Sequence, residues 1–147
     1  MKKLLLVVVA LVLVLSLSAC AKSYEVAMIT DIGGIDDESF NQGTWEGVKE
    51  FSEEAGLSYK YYKPLGDNPS DQEYIDAIDL DIENGAKIVV TPGFLFGYAV
   101  YASQTTHPDV KFVLLDSEPH SADWGTWGTE SNTLPILCFK DQSIQQI

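Results

Sequence analysis

From Tyr24 onward, short apolar runs alternate with stretches of helical period. Tyr24 to Thr30 is apolar almost throughout, as a strand covered on both faces requires. Small or apolar residues then recur at Phe40, Thr44, Val48, Phe51 and Ala55, close to the helical period. Ser39, with Gln42 three residues on, has the form of a capping box at that helix's start, and Gly56 is a natural stop. Leu57 to Lys63 predicts a second strand whose tyrosines and lysines suit an exposed edge. Ser70 starts a second helix with an inner face of Tyr74, Ala77 or Ile78, and Ile82, and Asn84-Gly85 ends it. Lys87 to Thr91 is a third strand, Phe96 to Thr105 a third helix, and Lys111 to Asp116 a fourth strand. A loop rich in Gly and Ser, with two tryptophans, runs from Ser117 to Asn132. Thr133 to Phe139 predicts a fifth strand, weakened by Pro135.

Strands alternating with helices imply an α/β fold, a doubly wound parallel sheet with helices on both faces. The expected strand order is 2-1-3-4-5, with its switch point between strands one and three. Ligands bind in such sheets outside the carboxyl ends of the strands. Those ends carry Asp31, then Gly93 and Phe94, then Asp116. The turn after the first strand, Asp31-Ile-Gly-Gly-Ile-Asp-Asp-Glu-Ser-Phe-Asn-Gln42, adds Phe40 and Asn41 to the same edge. Ionised Asp31 and Asp116 accept hydrogen bonds from hydroxyls or a ring N–H. Phe40 and Phe94 offer faces for stacking. The Asn41 carboxamide suits the edge of a heterocycle. The set fits a polar ligand with a ring and no phosphate. Asp36, Asp37 and Glu38 read mainly as favourable charges at a helix start.

The first residues change the compartment. Lys2 and Lys3 precede Leu4 to Leu17, an uncharged apolar run of 14 residues. That is shorter than the ~20 residues of a membrane span and fits a secretory signal. Leu17-Ser-Ala-Cys20 resembles a bacterial lipobox. It implies a signal over residues 1–19, a lipidated Cys20, a tether over residues 20–23 and an anchor on the outer face of a membrane. Without the signal, 7 Lys stand against 22 Asp plus Glu, a formal charge of −15, and the chain has no arginine. So acidic a surface disfavours nucleic acid, whose phosphates need Lys and Arg. With Cys20 lipidated, Cys138 has no disulfide partner and reads as a small buried hydrophobe. No Cys/His spacing suggests a metal, no phosphate loop is present and no cofactor is implied. His107 and His120 are isolated, and Trp124 and Trp127 read as loop packing.

These motifs together resemble the basic membrane protein family of substrate-binding lipoproteins of ABC importers, which includes nucleoside receptors. The resemblance rests on Val26-Ala-Met-Ile-Thr-Asp31 with Gly34-Ile-Asp-Asp-Glu-Ser-Phe-Asn-Gln-Gly43. Thr91-Pro-Gly-Phe94, Phe112-Val-Leu-Leu-Asp116, and Asn132 through Phe139-Lys-Asp-Gln-Ser143 follow in the family's order. It implies the N-terminal lobe of a type I periplasmic-binding-protein fold over residues 24–147, with the second lobe missing. It further implies a purine nucleoside as ligand and an ABC permease as partner. Asp31 and Asn41 would hold the ligand, Phe40 would stack on the base, and Asp116 would complete this wall of the cleft. One lobe alone is expected to bind weakly or not at all. Two other readings compete. Gly34-Ile-Asp-Asp37 resembles the calcium motif of nucleoside hydrolases, but aligning its Asp-Asp pair puts Thr30 and Ile32 where two aspartates belong. A lipid-anchored surface protein acting only through protein contacts is the third.

Overall fold

The computed structural model describes residues 23–137 apart from Leu65 and Asp67. The expected signal, the expected lipidation site at Cys20, Cys138 and the stretch after it lie outside the described residues.

Five strands form one parallel sheet: β1 (Val26–Ile29), β2 (Tyr59–Tyr62), β3 (Ile88–Pro92), β4 (Lys111–Leu115) and β5 (Thr133–Ile136). Their order is β2-β1-β3-β4-β5, as the alternating pattern predicts. The helices are α1 (Phe40–Ala55), α2 (Asp71–Glu83) and α3 (Gly97–Thr106), with a 3-10 turn at Phe94–Phe96 leading into α3. The third helix therefore starts in 3-10 geometry, two residues ahead of the expected Phe96. β5 holds despite Pro135 because, among the described residues, it is an edge strand and pairs only with β4. Pro135 stands opposite Leu114 there, where a missing N–H is tolerated.

Alternate residues of the central strands serve two cores. Ala27, Ile29, Val89, Phe112 and Leu114 face α2 and α3, where they meet Tyr74, Ile78, Phe96 and Val100. The Tyr74 and Phe96 rings pack at 4.5 Å and 58°. Val26, Met28 and Val90 face the other way, against Val48 and Trp45 of α1. Trp45 also meets the Tyr59 and Tyr61 rings at 5.5 and 5.2 Å, so β2 is anchored on the α1 side by aromatic edges.

The two faces are covered unequally. Among the described residues, α2 and α3 cover one, whereas α1 alone lies on the other, against β1, β2 and β3. Over β4 and β5 that second face is an open apolar groove of about 970 Å³, bordered by Phe40, Val48, Phe51, Val90, Val113 and Leu134.

Candidate functional site

The site begins where β1 ends. Parallel pairing places the carboxyl ends of β1, β3 and β4 side by side, which brings Asp31, Gly93 and Asp116 to one edge. A 2.9 Å bond from the Gly93 N–H to the Leu115 carbonyl closes the β3 turn onto β4. Gly93 has φ 100°, a left-handed conformation that glycine adopts without steric cost. A Cβ there would stand 3.7 Å from Asp31 Oδ2, so the turn also sits against the Asp31 carboxylate.

Asn41 is the centre of the first turn. It is 2 % exposed. Its Nδ2 donates to Asp31 Oδ1 at 2.7 Å and to Asp37 Oδ2 at 3.0 Å. Carboxylates only accept, so the amide nitrogen must face both of them. The Asn41 Oδ1 in turn accepts from the Asp31 N–H at 3.4 Å. Asp31 Oδ1 takes a second bond, 2.9 Å, from the Gly33 N–H. A Cβ on Gly33 would come 2.5 Å from Asn41 Nδ2, so only glycine lets the loop lie this close.

The start of α1 differs from the sequence expectation. The Ser39 side chain makes no capping bond. Asp37 takes that place: its Oδ1 accepts from the N–H groups of Ser39 at 2.9 Å and Gln42 at 3.1 Å, and its Oδ2 from the Asn41 N–H at 3.3 Å. A carboxylate bonds these positively polarised N–H groups more strongly than a hydroxyl does. The Gln42 Oε1 accepts from the Glu38 N–H at 3.1 Å instead of closing a box with Ser39. Lost hydration pushes the Asp37 carboxyl up, but the N–H bonds from Gln42, Ser39 and Asn41 outweigh it and leave it below the ordinary range. Asp37, read from sequence mainly as a helix-start charge, is thus both that and a ligand of Asn41. Its place four residues before Asn41 was the available signal.

The other sequence-named residues are placed less closely together. Phe94 follows Gly93 and is 60 % exposed, a free aromatic face at the strand edge. Phe40 borders the apolar groove between α1 and β4. Asp116 is exposed at the end of β4, with φ 59°. Its N–H donates to the Ile136 carbonyl at 2.7 Å. Non-glycine residues seldom adopt that backbone, and Asp tolerates it better than most. The structure therefore joins Asp31, Asn41 and Gly93 into one cluster, with Phe94 next in sequence and Asp116 on the neighbouring strand end.

Beside this edge lies an aromatic stack. His120 is buried and its ring stacks on Trp124 at 3.7 Å and 19°, with Trp127 at 4.9 Å. Both tryptophans are half exposed. They pack within the β4–β5 loop, which is tied to α3 by Asn132 Nδ2, within 3.1 Å of the carbonyls of Gln104, His107 and Val110. His107 itself pairs with Asp79 at 2.8 Å. Among the described residues, no group of three or more His, Cys, Asp and Glu side chains is placed to hold a metal ion.

The parallel sheet thus sets a polar cluster at its switch point, the edge at which α/β folds of this kind bind ligands. Residues 24–123 match the family described as ABC transporter substrate-binding protein, PnrA-like, and the chain belongs to that family. It is 30 % identical over 95 residues to the ABC transporter nucleoside-binding protein BmpA of Lactococcus lactis subsp. cremoris, covering 62 % of this chain and 26 % of that protein. An uncharacterized lipoprotein of Pyrococcus horikoshii is 28 % identical over 124 residues, covering 84 % and 28 %. The chain thus spans about a quarter of the length of these relatives. An ABC transporter solute-binding protein of Aeropyrum pernix K1 shares the fold with a TM-score of 0.62 at 23 % identity, over 78 % of this chain and 28 % of that one. A lipoprotein fragment of Peptoclostridium difficile 630 superimposes with a TM-score of 0.61 at 17 % identity, over 78 % of this chain and 85 % of that one.

Proposed function

We propose that this chain forms one wall of the ligand cleft of a lipid-anchored, extracytoplasmic substrate-binding component of an ABC importer, and that its ligand is a purine nucleoside. The observation that carries this reading is the switch-point cluster. Asp31 Oδ1 is held by Gly33 and Asn41, and among the described residues its Oδ2 receives no hydrogen bond. Phe94 stands exposed one residue beyond Gly93, available for a base. Family membership and the nucleoside-binding relative support the assignment. A ribose hydroxyl supplies the donor that Asp31 accepts, and the net negative charge opposes a nucleotide's phosphates. The chain's role is binding and delivery to a permease, with Cys20 as the anchor.

Taken alone, this wall gives few contacts and excludes little water, so its own contribution to affinity is expected at the millimolar level, on the order of −4 kcal/mol. Titration of the chain with adenosine, guanosine and inosine, followed by NMR shifts, tests it. Shifts confined to Asp31, Gly93, Phe94 and Asp116 are expected, and Asp31→Ala should abolish them. Shifts with ribose or an amino acid at these residues, and none with any nucleoside, would overturn the ligand assignment. Incorporation of labelled palmitate that vanishes in Cys20→Ser tests the anchor.

A further inference from the structure

We propose that Asp37 is a positioning residue of this edge. Through Asn41 it fixes the Asp31 carboxylate so that a ligand meets one acceptor, Asp31 Oδ2, and no free carboxamide. The proposal rests on the binding role assigned above and changes the part that Asn41 plays in it. Hydrogen-bond accounting carries it. A primary amide has two N–H donors. In Asn41 one goes to Asp31 Oδ1 and the other to Asp37 Oδ2, while its oxygen receives the Asp31 N–H. Asn41 is also 2 % exposed, so it has neither a spare donor nor access to a ligand. Asp31 Oδ1 already accepts from Gly33 and Asn41. Among the described residues Oδ2 receives no hydrogen bond, and it lies 3.7 Å from where a Cβ on Gly93 would stand.

Asp37 is in turn held by three backbone N–H groups at the start of α1. The line therefore runs from the helix start, through Asp37 and Asn41, to Asp31. Two like charges are bridged by one NH2 group, so losing the bridge frees Asp31 to turn its carboxylate. The ligand such an edge selects is neutral and offers a single hydroxyl or ring N–H to Oδ2. A ligand carboxylate or phosphate would meet Asp31 with the wrong sign.

The test uses isotope-labelled full chain, with Asp37→Asn and Asn41→Leu singly and together. The carboxamide introduced by Asp37→Asn keeps an oxygen for the helix N–H groups but turns its NH2 toward Asn41. In that variant the Asn41 side-chain NH2 signals should move toward free-amide positions and the Asp31 carboxyl signal should shift, with helix content unchanged. Affinity for the best nucleoside should fall about tenfold or more, the effect of a lost charge-assisted bond. On the Asn41→Leu background, Asp37→Asn should cost nothing further. Unmoved Asn41 signals overturn the proposal, as does an equal loss of affinity on both backgrounds, since either would leave Asp37 a helix cap only. If the chain binds no nucleoside, the ligand assignment fails while the Asn41 and Asp31 signals still decide the role of Asp37.

Discussion

Asp81 shows what residue-scale environment does to a titration. The helical period from Tyr74 through Ile78 carries it to the inner face of α2, where it is 1 % exposed and neither carboxylate oxygen has a hydrogen-bond partner among the described residues. Burial pushes its carboxyl up to about 8, partly offset by the Lys60 ammonium. The folded pKa lies above the unfolded value, so the folded chain keeps a proton that the unfolded chain has released. Stability is therefore greatest below the unfolded pKa of about 4 and falls as pH rises toward 8. The limiting loss is on the order of several kcal/mol, at about 1.4 kcal/mol per unit. Urea midpoints should drop steadily from pH 5 to pH 8.5 in the wild type and stay nearly flat in Asp81→Asn, which should be the more stable chain at pH 9. Spacing alone offered Ala77, Ile78 and Ile82 for this face and passed over Asp81, because an ionisable residue is rarely fully buried without a partner. Gly97 makes a second residue-scale case. A Cβ there would overlap the His120 ring and come 3.2 Å from Ser117 Oγ. Gly97→Ala should cost about 1–3 kcal/mol by overpacking and should change tryptophan fluorescence as His120 leaves Trp124. Nothing in the sequence pairs Gly97 with His120, which are brought together only by the β4–β5 loop.

Among the elements, two helix starts with similar sequence signatures behave differently. Ser70 and Glu73 form a true capping box: the Glu73 N–H donates to Ser70 Oγ at 3.3 Å and the Ser70 N–H to Glu73 Oε2 at 2.7 Å. Ser39 and Gln42 have the same spacing, but Asp37 takes the N–H groups first. Ser70→Ala should therefore cost about 1 kcal/mol, while Ser39→Ala should lie within about 0.5 kcal/mol of the wild type. Chemical denaturation of both, side by side, checks the contrast. A Ser39→Ala loss equal to that of Ser70→Ala would mean that Asp37 is not the cap. The strands, their order and the helices were legible because continuous apolar runs and the 3.6-residue period are long-range patterns that survive tertiary detail. The local bonding at the start of α1 was not, since a carboxylate and a hydroxyl two residues apart both fit a cap and only geometry chooses. The same limit applies to the site. Asp31, Gly93 and Asp116 followed from strand ends, whereas the consumption of both Asn41 donors needed coordinates.

For the molecule as a whole, the uneven covering of the sheet and the strong net charge act in opposite directions. Among the described residues the groove over β4 and β5 leaves apolar side chains open, and Leu134 at its rim is 57 % exposed. Patches of this kind favour association or binding of apolar probes. The excess of 22 acidic over 9 basic residues opposes self-association through long-range repulsion. Repulsion between exposed charges is screened over about 10 Å at 0.1 M salt, but apolar attraction is not. The chain should therefore sediment as smaller species at low salt and shift to larger ones as sodium chloride is raised, with anilinonaphthalene sulfonate fluorescence marking the groove at low salt. Leu134→Lys places an ammonium at the rim, at a position already open to water, and should weaken both the dye signal and the salt-driven association without lowering the urea midpoint. Salt-driven association that persists in this variant would move the contact away from the groove, for instance to the half-exposed Trp124 and Trp127.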